Sequence, residues 1–386
     1  MAAALACAAQ AQDKLAIVAS HLAAPPADAR PMVRWWWFGP AVAKPELERE
    51  LLAMKAGGFG GVEIQPVYPM QIDGNVPYLS PEFLDAVSFT NRTARANGLR
   101  VDMTLASGWP YGGPHVKVTE AASRLRMVNV EVPAGATSFP MPAIGAGEKL
   151  LGTFLNGSAF DAALPSAPGL RTVQVYIASR TGQQVKRAAI GAEGFVLDHM
   201  SRSAVEHHLD AVAAPLLKAF GDQPPYAVFS DSLEAYGSDW TDDFLAEFKR
   251  RRGYELTPHL PEIYSGQGAD AAALRHDWGL TQTELVNERY LTPIDNWARA
   301  HGTRFRSQTY GEPAVSMSSN RLVALPEGEG PQFRAFSFTR LATSAAHLYG
   351  RPVVSAETWT WLHSPAFAAT PLDMKAEADR MLLQGV

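Results

Sequence analysis

Apolar and polar positions alternate along this chain with two different periods, and the switches between them mark its elements. Arg34-Trp35-Trp36-Trp37-Phe38 reads as a strand that stops at Gly39-Pro40. Residues 45–56 put Leu47, Leu51 and Met54 on one helical face, and Gly57-Gly58 ends that pattern. Gly61-Val62-Glu63-Ile64-Gln65 is a second strand, closed by Pro66. Ser80-Pro81 opens a helix, a capping hydroxyl followed by proline at the first position, and Asn97-Gly98 closes it. Residues 101–106 form a third strand. Helices separating apolar strands at this spacing predict an α/β fold with a parallel sheet.

Residues 120–195 break the rhythm. Strand-like runs at 127–132 and 173–177 lie among turns rich in Pro, Gly and Ala, so this stretch reads as a β-rich insertion. The alternation resumes with a helix at 202–219 and a strand at 226–230, then helices at 241–252 and 277–300, the latter interrupted near Pro293. A fifth strand at 304–309, a helix at 332–348, a sixth strand at 352–356 and a helix at 371–383 follow. Six βα units are legible, and Gly385-Val386 reads as the opening of a seventh. The expected architecture is a (β/α)8 TIM-barrel-type domain truncated after six units. Its first part is residues 25–119, the insertion 120–195, and its second part 196–386.

Alternation also assigns faces. Glu63 and Gln65 oppose Val62 and Ile64, and Asp102 and Thr104 oppose Val101 and Met103. Arg306, Gln308, Tyr310 and Glu312 fall on one side of the fifth strand, Ser355 and Glu357 on one side of the sixth. A parallel sheet covered on both faces is apolar throughout. A polar face on four strands therefore predicts a barrel whose lumen is functional at the strand C-termini.

Composition narrows the chemistry. The 386 residues are 47% hydrophobic, which excludes a disordered chain, and the single cysteine, Cys7, excludes a disulfide framework or a cysteine-held metal. A net charge of −5 without a Lys/Arg cluster argues against a nucleic-acid partner. The apolar start ends at Ala9-Gln10-Ala11, a small-x-small pattern, so residues 1–11 read as the remnant of a secretory signal and the protein as exported, periplasmic or extracellular. That run is too short to span a membrane. No GxGxxG, Walker, HExxH or GxSxG string occurs. His207-His208 reads as an exposed helical pair.

Carboxylates beside aromatics carry the candidate chemistry. Asp231-Ser232-Leu233-Glu234 follows the fourth strand and Tyr310-Gly311-Glu312 the fifth. Glu327 and Glu329 sit in Pro326-Glu327-Gly328-Glu329-Gly330, placed in a long loop, and Glu357 ends the sixth strand before Trp359 and Trp361. Hydrolysis of a glycosidic bond needs a neutral acid to protonate the leaving oxygen and an ionised group on the opposite face of the sugar.

These stretches resemble glycoside hydrolase family 106, the α-L-rhamnosidases. The matching strings are RWWWFGPAV through GGFGGVEIQPVYP (34–69), SDSLEAYGSDWTDDFLAEFKRRRGYEL (230–256), PEGEG (326–330), SAAHLYGRPVVSAETWTWL (344–362) and LDMKAEADRMLLQGV (372–386). The resemblance implies a (β/α)8-type catalytic domain, inversion at the anomeric carbon, calcium dependence, and release of terminal L-rhamnose from plant polysaccharides or glycosides. It casts Glu234 as the general acid and Glu357 as the base that activates water, with Glu329 or Glu327 supporting. Glu63, Gln65, Asp231 and Glu312 are cast as sugar or calcium contacts, and Trp37, Trp109, Trp359 and Trp361 as sugar-facing aromatics. Members are much longer than this chain. Two other readings fit the same residues: a carbohydrate-binding or inactive truncated fragment, and a polysaccharide lyase.

Overall fold

The computed structural model describes residues 2–25, 29–160, 163–330, 338–361, 365 and 368–386. Seven parallel strands build its main sheet: Met32–Phe38, Gly61–Val67, Arg100–Thr104, Ala227–Ser230, Arg304–Gln308, Leu325–Glu329 and Ser355–Glu357, paired in chain order. The mixed α/β architecture and the parallel sheet agree with the sequence reading. The count of six strands does not, because the acidic run at 326–330 is a strand rather than a loop. Its register sets Leu325 opposite Arg306 and Glu327 opposite Ser355. Proline and glycine disfavour a strand locally, but here Glu327 gains Arg306 at 3.0 Å and the Ser355 hydroxyl at 2.7 Å. Gly328 lies against the backbone of Thr339, where a Cβ would collide.

Side chains alternate across this sheet as the sequence indicates. Val62, Ile64, Val101, Met103, Val228 and Phe305 are buried in the main hydrophobic core, together with Trp35 and Trp37 of the first strand. Leu47 and Leu51 of the helix Lys44–Ala56 and Phe83 and Val87 of the helix Pro81–Ala96 belong to the same core. Ser80 caps the second of these helices by accepting the Phe83 N–H at 3.2 Å. Burying a side chain of this size contributes about 1.5–3 kcal/mol.

The helices expected at 202–219 and 277–300 each contain a π-turn, Leu209–Ala213 and Asn287–Leu291. Pro215 and Pro293 are each the second residue after those turns; a proline without an N–H cannot complete the regular ladder, and the extra residue per turn absorbs the break. The helix expected at 332–348 spans Thr339–Tyr349; residues 331–337 lie outside the described ones. Between the third and fourth sheet strands, Ser123–Val132 and Arg171–Arg180 pair antiparallel over ten residues. Lys149–Leu155 and Ser158–Ala159 complete a four-stranded sheet with its own small core of Val132, Leu164, Val173, Val175 and Ile177. Residues Ala2–Ala23 form a helix, and no helix among the described residues is long and apolar enough to cross a membrane.

The main sheet is strongly curled. Six strand spacings in a flat sheet separate its edges by about 29 Å. Arg34 on the first strand nevertheless reaches Glu357 on the seventh at 2.6 Å. The concave side of this half-barrel is therefore narrow enough for side chains of opposite strands to meet.

Candidate active site

Two arginines organise the concave face. Arg34 lies within 3.2 Å of Glu63, 3.2 Å of Glu327, 3.5 Å of Asp231 and 2.6 Å of Glu357. Arg306 contacts Glu63, Asp102 at 2.6 Å and Glu327 at 3.0 Å. Both guanidiniums lie over the ring of Phe229, at 4.7 and 4.5 Å from its centre, so the fourth strand supplies an apolar floor where its neighbours supply charge. Asp102 is completely buried, and burial pushes its carboxyl up to about 7 against the pull of Arg100. Gln65 accepts from the Thr104 hydroxyl and donates to the Gly108 carbonyl at 3.4 Å.

Above this layer, toward the strand C-termini, the carboxyls are set apart chemically. Burial alone would raise Glu357, but the Arg34 guanidinium and hydrogen bonds from Gln308 (2.8 Å) and Thr360 (3.2 Å) outweigh it and hold it below the ordinary glutamate range. Glu329 stands beside it in the parallel register. Burial, then the charge of Glu357, pushes Glu329 up to about 7, even though the Tyr310 hydroxyl donates to it at 2.8 Å. Two neighbouring carboxyls cannot both ionise cheaply, so one keeps its charge and the other its proton. Asp231 is raised to about 6 by burial, with Arg34 opposing.

Glu234 stands on a separate support. Leu233–Glu234 pairs with Gly311–Glu312 in a two-stranded parallel ladder outside the main sheet. Gly311 has φ +114°, and a Cβ there would collide with the Leu233 carbonyl, so the ladder closes only with glycine at this position. The Glu234 carboxylate accepts from Ser232 Oγ at 2.8 Å and from the Tyr236 hydroxyl and the Lys186 ammonium. Lys186 lies over the rings of Trp109 (5.4 Å) and Tyr236 (4.9 Å), and burial pulls its ammonium down to about 8 against the attraction of Asp231.

The residues expected to act thus divide by depth. Glu234, Glu329, Glu357 and Asp231 gather at the strand ends, with Trp109 beside them and stacked obliquely on Trp36 at 6.4 Å. Glu63, Gln65 and Glu327 are buried in the arginine layer, so they support the site from beneath instead of lining it. Trp37 is corrected outright: it is 2% exposed and packs edge-on against Trp35 and Phe83 in the core, because it alternates with Trp36 onto the helix-covered face. Glu312 is exposed and accepts the Gly237 N–H at 2.6 Å, an arrangement that braces the ladder. Trp359 is partly exposed with its indole N–H on the Met374 carbonyl at 2.9 Å, and Trp361 is half-buried. Sequence reasoning missed Arg34, Lys186 and Tyr236 as parts of the site; Tyr310 it placed on the polar face without giving it a role. Arg34 was readable, since it alternates with Trp35 onto the polar face; Lys186 had no local signal.

The exposed histidine pair is also corrected. His208 is buried, bonded to the Leu105 carbonyl at 2.8 Å and to His115 at 3.0 Å, whereas His207 reaches Glu120 at 3.1 Å. Among the described residues no three His, Cys, Asp or Glu side chains are grouped so as to hold a metal ion. The deep carboxylates Glu63 and Glu327 already face Arg34 and Arg306, and calcium enters no step below.

Comparison with known proteins adds three findings. The family model described as alpha-L-rhamnosidase, that of glycoside hydrolase family 106, matches residues 23–156 and 167–386. A curated Formosa agariphila protein bearing a provisional beta-glucuronidase name is 24% identical over 425 residues, covering 94% of this chain and 36% of the relative. A rhamnosidase structure from Novosphingobium sp. PP1Y aligns with a TM-score of 0.72 at 17% identity, over 95% of this chain and 55% of that one, a likeness of fold. The chain spans about a third of the curated relative's length.

Proposed function

The chain belongs to glycoside hydrolase family 106, the α-L-rhamnosidases, and from that premise we propose that it carries the catalytic centre of an inverting α-L-rhamnosidase acting on plant polysaccharides or glycosides. The observation that carries this reading is the pair of carboxyls at the strand ends, Glu357 bonded to Arg34 at 2.6 Å and, beside it in register, Glu329, whose carboxyl burial and the charge of Glu357 push up to about 7. Glu357 takes a proton from water as the water oxygen bonds to the anomeric carbon. The glycosidic carbon–oxygen bond breaks on the opposite side, and Glu234 gives its proton to the departing oxygen. Glu329, raised to about 7, holds its proton on the acid side of neutrality, and in that form it adds no second negative charge next to Glu357 and can donate a hydrogen bond to a sugar hydroxyl. Arg34 and Arg306 fix the geometry from below.

The test is hydrolysis of an aryl α-L-rhamnoside by the full-length protein, with an aryl β-D-glucuronide run in parallel and the product anomer followed by NMR. Rhamnoside turnover with inverted product is expected. Turnover of the glucuronide alone, retained configuration, or an unsaturated product would each overturn the reading. The calcium requirement implied by the family resemblance is checked by dialysis against a chelator and add-back. Export, expected from the Ala-rich start, is checked by cell fractionation.

A further inference from the structure

Glu234 meets more positive charge than a proton donor tolerates. Its Oε1 accepts from Ser232 at 2.8 Å, and its Oε2 accepts from both the Tyr236 hydroxyl and the Lys186 ammonium. A carboxyl that accepts three donors, one of them a cation, stays ionised, and an ionised group has no proton to give.

The surroundings of Lys186 show how that conflict is relieved. Its backbone is pinned: the Lys186 N–H donates to the Trp109 carbonyl at 2.9 Å, and the Trp109 N–H donates back at 3.1 Å. Three residues earlier, the Gln183 side chain donates to the Glu234 carbonyl and accepts the Tyr236 N–H, both at 2.7 Å. A Cβ on Gly108, which has φ +63°, would collide with the Lys186 carbonyl, so the two segments approach as closely as backbone allows. The side chain is not pinned in this way. It is about one-third exposed, with its ammonium over the faces of Trp109 and Tyr236. Those two aromatic faces beside Glu234 are of the kind on which sugar rings stack, and a ring and an ammonium cannot occupy them together.

We propose that Lys186 is a positioning residue that keeps Glu234 as a carboxylate in the empty site and is displaced when the leaving-group sugar stacks on Trp109 and Tyr236. This rests on the reading of Glu234 as the general acid. Once its counter-charge has gone, Glu234 takes one proton from solvent. It passes that proton to the oxygen of the breaking glycosidic bond, and Lys186 returns as the product leaves. The charged groups around the gate act in both directions: Asp231 and Glu329 hold the ammonium, Arg187 repels it, and Glu312 lies across the ladder from Glu234.

Two variants of the full-length protein test the proposal on a phenyl and a dinitrophenyl α-L-rhamnoside. Lys186→Met removes the counter-charge from the empty enzyme, so the alkaline limb of kcat/KM moves up by about one to three pH units, a tenfold or greater gain above the wild-type limb. The alkaline limb of kcat stays in place, because Lys186 has already left the bound enzyme. Lys186→Arg keeps the wild-type kcat/KM limb. If the kcat/KM limb does not move in Lys186→Met, or moves equally in Lys186→Arg, Lys186 is no gate. Glu234→Gln separates this failure from failure of the acid assignment: a loss of about 10²-fold or more on the phenyl substrate with little loss on the dinitrophenyl one supports the assignment. Equal losses on both substrates remove Glu234 as the acid, and the gate with it.

Discussion

Arg34 and Glu357 stand on the first and seventh strands of one sheet and hold each other at 2.6 Å. The curl of the sheet thus sets the charge of the proposed base. Replacing Arg34 with Met leaves Glu357 with burial and no guanidinium, so its carboxyl rises. A base works only when deprotonated, so the acid limb of kcat/KM moves to higher pH and the loss, about 10²-fold or more, is greatest on the acid side. Arg34→Lys keeps the positive charge but loses the guanidinium's forked donors, so it moves the limb less. A uniform loss at every pH would show that Arg34 only binds sugar.

Glu329 makes a prediction of opposite sign for stability. Its folded value of about 7 lies above the ordinary 4.5. Between those values the folded chain holds a proton that the unfolded chain has released, so its contribution declines as pH rises from about 4.5 to 7. Glu329→Gln removes the decline. The melting temperature of the variant relative to wild type is expected to climb by a few degrees across that window; a constant difference would contradict it.

Buried histidines produce acid sensitivity. Burial lowers His115 to about 4 and His199 and His208 to about 3, against 6.5 for a free imidazole. The unfolded chain takes up protons that the folded chain refuses, so stability is complete above pH 6.5 and falls as pH drops toward 4. His199 is completely buried, and its ring packs on Tyr290 at 4.7 Å. His199→Phe therefore flattens the fall in melting temperature between pH 6.5 and 4.5.

The tryptophans separate stability from activity. Trp37→Ala opens a cavity in the core and costs about 3–5 kcal/mol in thermal or denaturant unfolding. Trp109→Ala, at a half-buried position beside Lys186, leaves the melting temperature close to wild type and lowers kcat/KM. The reverse ranking would place Trp37 in the site.

Much of this was legible because period-two alternation is a local signal. Gly61–Val67 and Arg100–Thr104 show which side chains face the concave side without any knowledge of the neighbouring strands. Leu325–Glu329 was not legible as a strand, because its proline, glycine and two glutamates lack local strand preference; Glu327 is satisfied by Arg306, Arg34, Gln308 and Ser355, and Glu329 by Tyr310, all distant in sequence or on other strands. Trp36 and Trp37 look alike in composition, and only the alternation of the strand tells site from core. Lys186 was invisible for a further reason: it reaches Glu234 through a backbone pairing with Trp109, 77 positions earlier, which no spacing along the chain encodes.

The arginine layer has a consequence for how this fold tolerates substitution. Arg306 and Arg34 each serve three or more carboxylates, so changing any one member strands an opposite charge in a dry interior, at a cost of about 3–5 kcal/mol. Glu63, Asp102, Arg306, Glu327 and Arg34 therefore act as one energetic unit, in which a change at one member calls for a compensating change at another. Lys186, Tyr236 and Trp109 lie outside that unit, so replacing one of them leaves the charge balance of the arginine layer untouched.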